Sequence, residues 1–340
     1  MIMITFAPAS RDNLYFVIAM SGPSGGGKTL SALKVARGMV GGDDSKIFVL
    51  DTESGRAKYY APPSGQKPGP QTFGFMHADI RPPFRPQTFV DAVRAAENGG
   101  AKVIVIDSMS HEWSGEGGVL DWAEEELTRM AGSDYAKREK VKMASWIKPK
   151  MAHKAMMQAL LQVRAHIIFC LRSEEKMKMA KVPDGRGGEK TIIVQASDRP
   201  LLERWEPVCA KDFMFEATTS MLLLPSAPGV PMPVKIQEQH RPAFPDGKPI
   251  TEETGRVLAE WAAGGMVGCS SPPRLLSSKA DLAMAWADKF ISEQQARIDA
   301  GDTAGFAAAN AKHQASVDKL IEINPDAYNK VVTFLNGEPS

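Results

Sequence analysis

Near the N-terminus the octet Gly22-Pro23-Ser24-Gly25-Gly26-Gly27-Lys28-Thr29 sets glycines, a lysine and a threonine at the spacing GxxxxGK[ST]. Glycines at these positions let successive backbone N–H groups converge on an anion at a helix N-terminus. Lys28 can reach the terminal phosphates, and the Thr29 hydroxyl can ligate Mg²⁺. The chemistry this octet suits is the cradling of a nucleoside triphosphate, through Gly22, Pro23, Ser24, Gly25, Gly26, Gly27, Lys28 and Thr29.

Two carboxylates complete the reactive set. Val103-Ile104-Val105-Ile106-Asp107 puts an acid after four apolar residues, where a buried strand would end and where a metal bound to phosphate needs a second oxygen ligand, so Asp107 joins Thr29 as the metal pair. Hydrolysis also needs a group that orients the attacking water. Phe48-Val49-Leu50-Asp51-Thr52-Glu53 ends a strand close after the loop's helix and offers Glu53. Glu112, beyond Asp107-Ser108, is the other acid within reach in sequence.

These groups need a parallel sheet to hold them. Short apolar runs at Leu14 to Met20, Lys46 to Leu50, Lys102 to Ile106 and His166 to Leu171 alternate with helical patterns at Lys28 to Met39, Pro86 to Glu97, Gly118 to Met130 and Ser145 to Arg164. Ala61 to Pro86 is proline-rich and reads as a surface excursion. A β-hairpin is expected around Pro183-Asp184-Gly185-Arg186-Gly187-Gly188, with further strands at Phe213 to Leu224 and Val234 to Gln237. The pattern predicts an α/β core over 1–263, a Gly/Ser/Pro linker over 264–274 and a small C-terminal helical unit over 275–340.

Bulk properties narrow the setting. The 340 residues are 43% hydrophobic, enough for a large core, and a formal net charge of +1 gives no global pull toward nucleic acid or membrane. Three scattered cysteines without a CxxC suggest neither a disulfide framework nor a zinc site and point to a reducing cytoplasm. No signal peptide or membrane span is read, so no membrane partner is expected.

The order of loop, Glu53 and Asp107-Ser108 resembles the RecA superfamily, in which a catalytic glutamate follows the strand after the phosphate loop. His166 to Arg172 is similar to the strand carrying the γ-phosphate sensor, a glutamine there and Arg172 here. The resemblance covers about residues 14–262 and is strongest to phage-encoded RecA-like ATPases associated with single-strand annealing and recombination. It implies a RecA-like P-loop core with a mainly parallel sheet, ATP and Mg²⁺ as cofactors, Lys28 and Glu53 as catalytic groups, and a homo-oligomer in the cytoplasm of a bacterial host. It also implies single-stranded DNA and a recombination or replication protein as partners.

In such cores the DNA-contacting loops follow the metal strand and the sensor strand. The first window holds Lys137, Arg138, Lys140, Lys142, Lys148, Lys150 and Lys154 with Trp146 among them and only Glu139 opposing, a pattern for phosphate tracking and base stacking or for a solvated helix face. The second, the hairpin, holds Lys178, Lys181 and Arg186. Lys235 and Arg241 are candidates for cations supplied in trans to a neighbouring subunit's γ-phosphate. Three other functions fit parts of the pattern: a non-catalytic nucleotide-binding loader or regulator of a replication partner, a hexameric DNA helicase, and a small-molecule kinase.

Overall fold

The computed structural model describes residues 14–183, 189–195, 198–244, 246–264 and 279–336. By Cα packing the chain divides into two compact units, Met1–Val267 and Gly268–Ser340.

In the first unit β1 (Val17–Gly22) runs into the glycine loop and α1 (Lys28–Met39), followed by β2 (Ile47–Asp51), β3 (Met76–Asp79), α2 (Pro86–Asn98) and β4 (Val103–Asp107). Four helices come next: α3 (Ser110–Ser114), α4 (Val119–Ala131), α5 (Tyr135–Ser145) and α6 (Ile147–Leu161). The chain returns as β5 (His166–Glu175) and the two-stranded β6 (Met177–Pro183) and β7 (Glu189–Gln195). Then come α7 (Leu201–Arg204), β8 (Trp205–Pro207), α8 (Phe213–Glu216), β9 (Thr219–Leu223), β10 (Pro231–Lys235) and α9 (Glu252–Ala262).

The main sheet has the order β10-β9-β1-β5-β4-β2-β3, parallel except for β10, with β8 antiparallel on the end of β5. Period-two alternation assigns its two faces. Ile18 and Met20 of β1 point into a core with α1 and α9, while Val17 and Ala19 point into a second core with α2 and α6. Because both faces are covered, β1, β4 and most of β2 are buried at every position, which is why they read as unbroken apolar runs. The architecture is a mixed α/β P-loop core with a mostly parallel sheet.

Several elements, α9 among them, were not read from sequence, β10 lies at Pro231–Lys235 rather than Val234 to Gln237, and three further departures have a clear physical reason. β3 lies inside the proline-rich excursion. It is a sheet-edge strand that pairs through its backbone with β2 and keeps its side chains mostly exposed, so it carries no apolar signature. α5 was not expected, because it buries only Ser145 and so has no apolar stripe; Asp134 starts it by accepting the Lys137 N–H. The strand expected over 213–224 is split: Phe213 turns its ring edge-on to Phe169, 4.9 Å away, as α8 forms, and pairing begins only at Thr219. The hairpin forms as expected, with its tip, including Arg186, outside the described residues.

The second unit contains α10 (Lys279–Asp299), α11 (Thr303–Ile323) and α12 (Pro325–Leu335) around a core that includes Ala287, Phe290, Val317, Leu320 and Val331. Asn324 caps α12 by accepting the Asp326 and Ala327 N–H groups, ahead of a proline in the first turn. Apart from Gly264, the linker expected over 264–274 lies outside the described residues. Among the described residues no helix is long and apolar enough to cross a membrane.

Candidate functional site

Parallel register gathers the reactive residues at one edge of the sheet. Gly22 of β1 pairs with Arg172 of β5, Cys170 with Asp107 of β4, and Asp107 with Asp51 of β2, so the carboxyl ends of four strands meet where the glycine loop begins. In open parallel sheets this is where ligands bind.

The loop's sequence is dictated by its neighbours. Gly27 begins α1 at φ +84°, a left-handed conformation that other residues rarely adopt, and a Cβ on Gly26 would lie 2.3 Å from the Leu223 carbonyl oxygen. α1 has no side-chain cap and no acidic residue in its first turn, which leaves its N-terminal amides and positive dipole end for an anion. Lys28 folds back so that Nζ donates to the carbonyls of Gly22 (2.8 Å) and Pro23 (2.9 Å). Burial lowers the pKa of Lys28, against the opposing pull of Asp107 and Glu53, so a bound phosphate would restore its preference for the charged form.

Thr29 Oγ1 donates to Asp107 Oδ2 at 2.5 Å, across 78 positions of sequence. Burial raises the Asp107 carboxyl above the free-aspartate value of 3.8; the Thr29 bond opposes this and the Glu53 charge adds to it. A cation would relieve both effects. Among the described residues no group of three or more His, Cys, Asp or Glu side chains could hold a metal. A hydroxyl beside one carboxylate therefore fits a hard ion that completes its oxygen shell from phosphate and water, as Mg²⁺ does.

Glu53 sits two residues past the end of β2 with its side chain 13% exposed. Arg172 approaches Glu53 Oε1 through Nε (2.9 Å) and Nη2 (2.8 Å), and Arg56 Nη1 donates to Oε2 (2.6 Å). Burial pushes the Glu53 pKa up, but the Arg172 hydrogen bond and the two guanidinium charges outweigh it and hold the carboxyl below its usual range. The backbone beneath is pinned by Asp51, which accepts the N–H groups of Glu53 (2.7 Å) and Ala57 (2.8 Å).

A short polar chain ties β2 to β4. Thr52 Oγ1 accepts the Ser108 N–H (2.8 Å), donates to the Ser108 carbonyl (2.9 Å) and lies 2.6 Å from His111 Nδ1, while the Asp107–Ser108 peptide is cis. Ser110 Oγ accepts the Arg172 N–H (2.9 Å), so α3 braces β5. Burial and then the Arg172 charge lower the His111 pKa below its usual range, against the opposing charges of Glu53 and Asp51.

Glu112 faces elsewhere. It is 1% exposed and paired with His153, and the charges that reach it are those of His153 and Asp212, so the geometry sets Glu53 rather than Glu112 beside the loop.

A glycine loop between β1 and α1, with an acid at the end of β4 and β5 lying between those two strands, defines a P-loop nucleotide-binding protein. The chain belongs to the AAA domain family, whose model matches residues 15–199, a span that includes the loop, Glu53, Asp107 and Arg172. Membership places it among the P-loop ATPases. No curated protein matches the chain.

The basic window is less bare than its sequence suggested. Arg138 is paired with Glu124, Lys142 with Glu139 at 3.7 Å and Lys148 with Glu126 at 3.3 Å, two of these acids coming from α4. Lys137 and Lys140 are exposed on α5, and Trp146 is half-buried against Trp113. In the hairpin Lys178 pairs with Asp198 at 2.7 Å and Lys181 is exposed. Lys235 ends β10 on the side away from the loop, with Nζ donated to the carbonyls of Phe215 (2.9 Å) and Ala217 (2.7 Å). Arg241 is exposed beside Glu238 at 3.3 Å.

Arg56, Ser110 and His153 were not singled out from sequence. Arg56 could have been, since it stands three residues after Glu53; His153 meets Glu112 across 41 residues and had no local signal.

Proposed function

We propose that this chain is a RecA-like ATPase that hydrolyses ATP with Mg²⁺ held by Thr29 and Asp107, and that single-stranded DNA is the partner its nucleotide state controls, in phage-type recombination or replication. The observation that carries the reading is the convergence of the Thr29–Asp107 contact and the Glu53–Arg172 pair on the glycine loop's edge.

Mg²⁺ would supply Lewis-acid charge on the phosphate oxygens. The remaining work falls to the chain. The α1 amides and Lys28 neutralise the phosphates and orient the terminal group. Glu53, ionised because two guanidinium groups stabilise its charge, accepts a hydrogen bond from water and aims it for in-line attack. Arg172 spans the gap between that carboxylate and the loop, where it can trade Glu53 for γ-phosphate oxygens. The exchange would free the carboxylate for water when the substrate is in place. Lys235, at the end of β10 away from its own loop, and Arg241, exposed beside Glu238, belong to a trans role in a homo-oligomer or to none.

Steady-state ATP turnover across a titration of single-stranded DNA, with native mass measured with and without ATP, tests the proposal. Turnover that rises with the strand and is lost in Glu53→Gln while ATP still binds is the expected result. Normal turnover in that variant ends the assignment of Glu53. Turnover indifferent to DNA ends the assignment of the partner.

A further inference from the structure

Between α3 and α6 on one side and the ends of β5 and β8 on the other runs a groove of about 1340 Å³. It exceeds the roughly 300–1,000 Å³ of clefts that close over one small molecule, as a segment of a longer ligand requires.

His153 lines this groove. The residue is 4% exposed, its Nδ1 lies 2.9 Å from Glu112 Oε1, and its Nε2 is buried without a hydrogen-bond partner. A carboxylate on Nδ1 keeps a proton there and fixes the ring, so Nε2 is an oriented polar atom left for a water or a ligand to satisfy. Two indoles flank it. Trp113 and Trp146 have centroids 6.2 Å apart at a 34° tilt, Trp113 meets the His153 ring edge-on at 5.9 Å, and the Lys150 ammonium stands 5.6 Å from the Trp146 centroid.

Charge is divided between the walls. Lys150 and Lys154 project one helical turn apart from α6, whereas Glu174, Glu175 and Glu206 line the strand side. There Glu206 already meets Lys176 at 4.0 Å and Glu175 meets Arg204 at 3.8 Å. A polyanion is drawn to the α6 wall, while the strand wall, where Lys176, Arg204 and Lys211 largely offset the carboxylates, offers it no net attraction, so its backbone takes the α6 side. A flat ring with a polar edge satisfies the indoles and the orphaned nitrogen together; a phosphate or an aliphatic side chain satisfies only one of them.

We propose that this groove is a base-binding site, in which an unpaired nucleobase lies against Trp146 and Trp113 with its polar edge on His153 Nε2, and the adjoining phosphates follow Lys150 and Lys154. The assignment rests on the single-stranded partner proposed above and adds the residues that would grip it. It also sets that grip beside the ATP site: Ser110 and His111 of α3 contact the Arg172 and Thr52 side, and Glu112 and Trp113, next along the same helix, contact His153 of the groove wall.

Fluorescence anisotropy of the full chain, with a labelled oligodeoxythymidylate and with an abasic strand of equal length, tests it. The unaltered protein is expected to bind the thymidylate about tenfold more tightly than the abasic strand, and Trp146→Leu and His153→Gln to reduce that preference to about twofold or less. Lys150→Glu with Lys154→Glu, both exposed and safe for the fold, should weaken both strands alike. Binding without a base preference, or a preference that survives Trp146→Leu and His153→Gln, overturns the base site while leaving the partner intact. Should those two variants fail to fold, undiminished binding by the lysine pair variant overturns it. Binding of neither strand overturns both the partner and the groove's role, leaving a protein segment as the groove's occupant.

Discussion

The loop edge and the groove behind α3 lie on two sides of one short helix, yet they are built in opposite ways. At the edge every reactive group is already engaged: Lys28 with two carbonyls, Thr29 with Asp107, Glu53 with two arginines. In the groove a buried imidazole keeps one nitrogen without a partner beside two indoles. Under the proposed roles, the difference follows from what each site would do. A site for a transferring phosphoryl group gains from charges fixed in advance, because the transition state then costs little reorganisation. A site that grips a strand gains from surface left open to stack and to complete a hydrogen bond on arrival.

The contrast can be tested by breaking its parts. Glu53→Gln is expected to cause the largest change, a loss of turnover of about 10²- to 10⁴-fold with ATP affinity kept, as removal of a water-orienting base does; calorimetry beside a turnover assay separates the two quantities. Lys28→Ala should follow, weakening ATP binding about 100-fold by calorimetry, since it removes the half-buried cation that would face the phosphates.

Acidity sharpens the comparison. Because burial holds the Asp107 pKa above 3.8, the carboxylate form that a cation needs is lost at higher pH than in a free aspartate. Magnesium affinity for the ATP complex should fall by about tenfold per pH unit below that pKa, and an unchanged affinity on acidification would remove Asp107 from the metal pair. Glu53 has the opposite sign. Its pKa is held low in the free protein, where Arg172 still clamps it, so Arg172→Ala should move the Glu53 acid limb of kcat/KM, read at saturating Mg²⁺, upward. Arg56→Ala should move that limb in the same direction but less, because Arg56 is more exposed, at 65% against 51% for Arg172. An acid limb that stays put in both variants would mean that another group limits the rate.

Local sequence made much of the edge legible. The GxxxxGK[ST] octet must combine left-handed and close-approach glycines with an uncapped helix start, and few residue types meet those demands. Glu53 and Asp107 were legible for a similar reason, since strands buried on both faces appear as apolar runs and end at the residues they present. β3 and α5 escaped because each lies at a border, where backbone pairing or a single cap holds an element whose side chains face water. The charge balance of the basic window was not legible, because two of its neutralising partners, Glu124 and Glu126, come from a different helix.

By itself, then, the sequence determined a phosphate loop, two candidate acids and a parallel α/β core, because each of these is written in residues close together along the chain. Tertiary structure decided which acid stands beside the loop and which is withdrawn to His153. It also decided that Arg172 and Arg56 clamp Glu53, and that Trp113, Trp146 and His153 share a wall. The pairs that settle this span up to 119 positions, from Glu53 to Arg172, and only the closing of the sheet and the packing of α3 bring such residues within hydrogen-bonding reach.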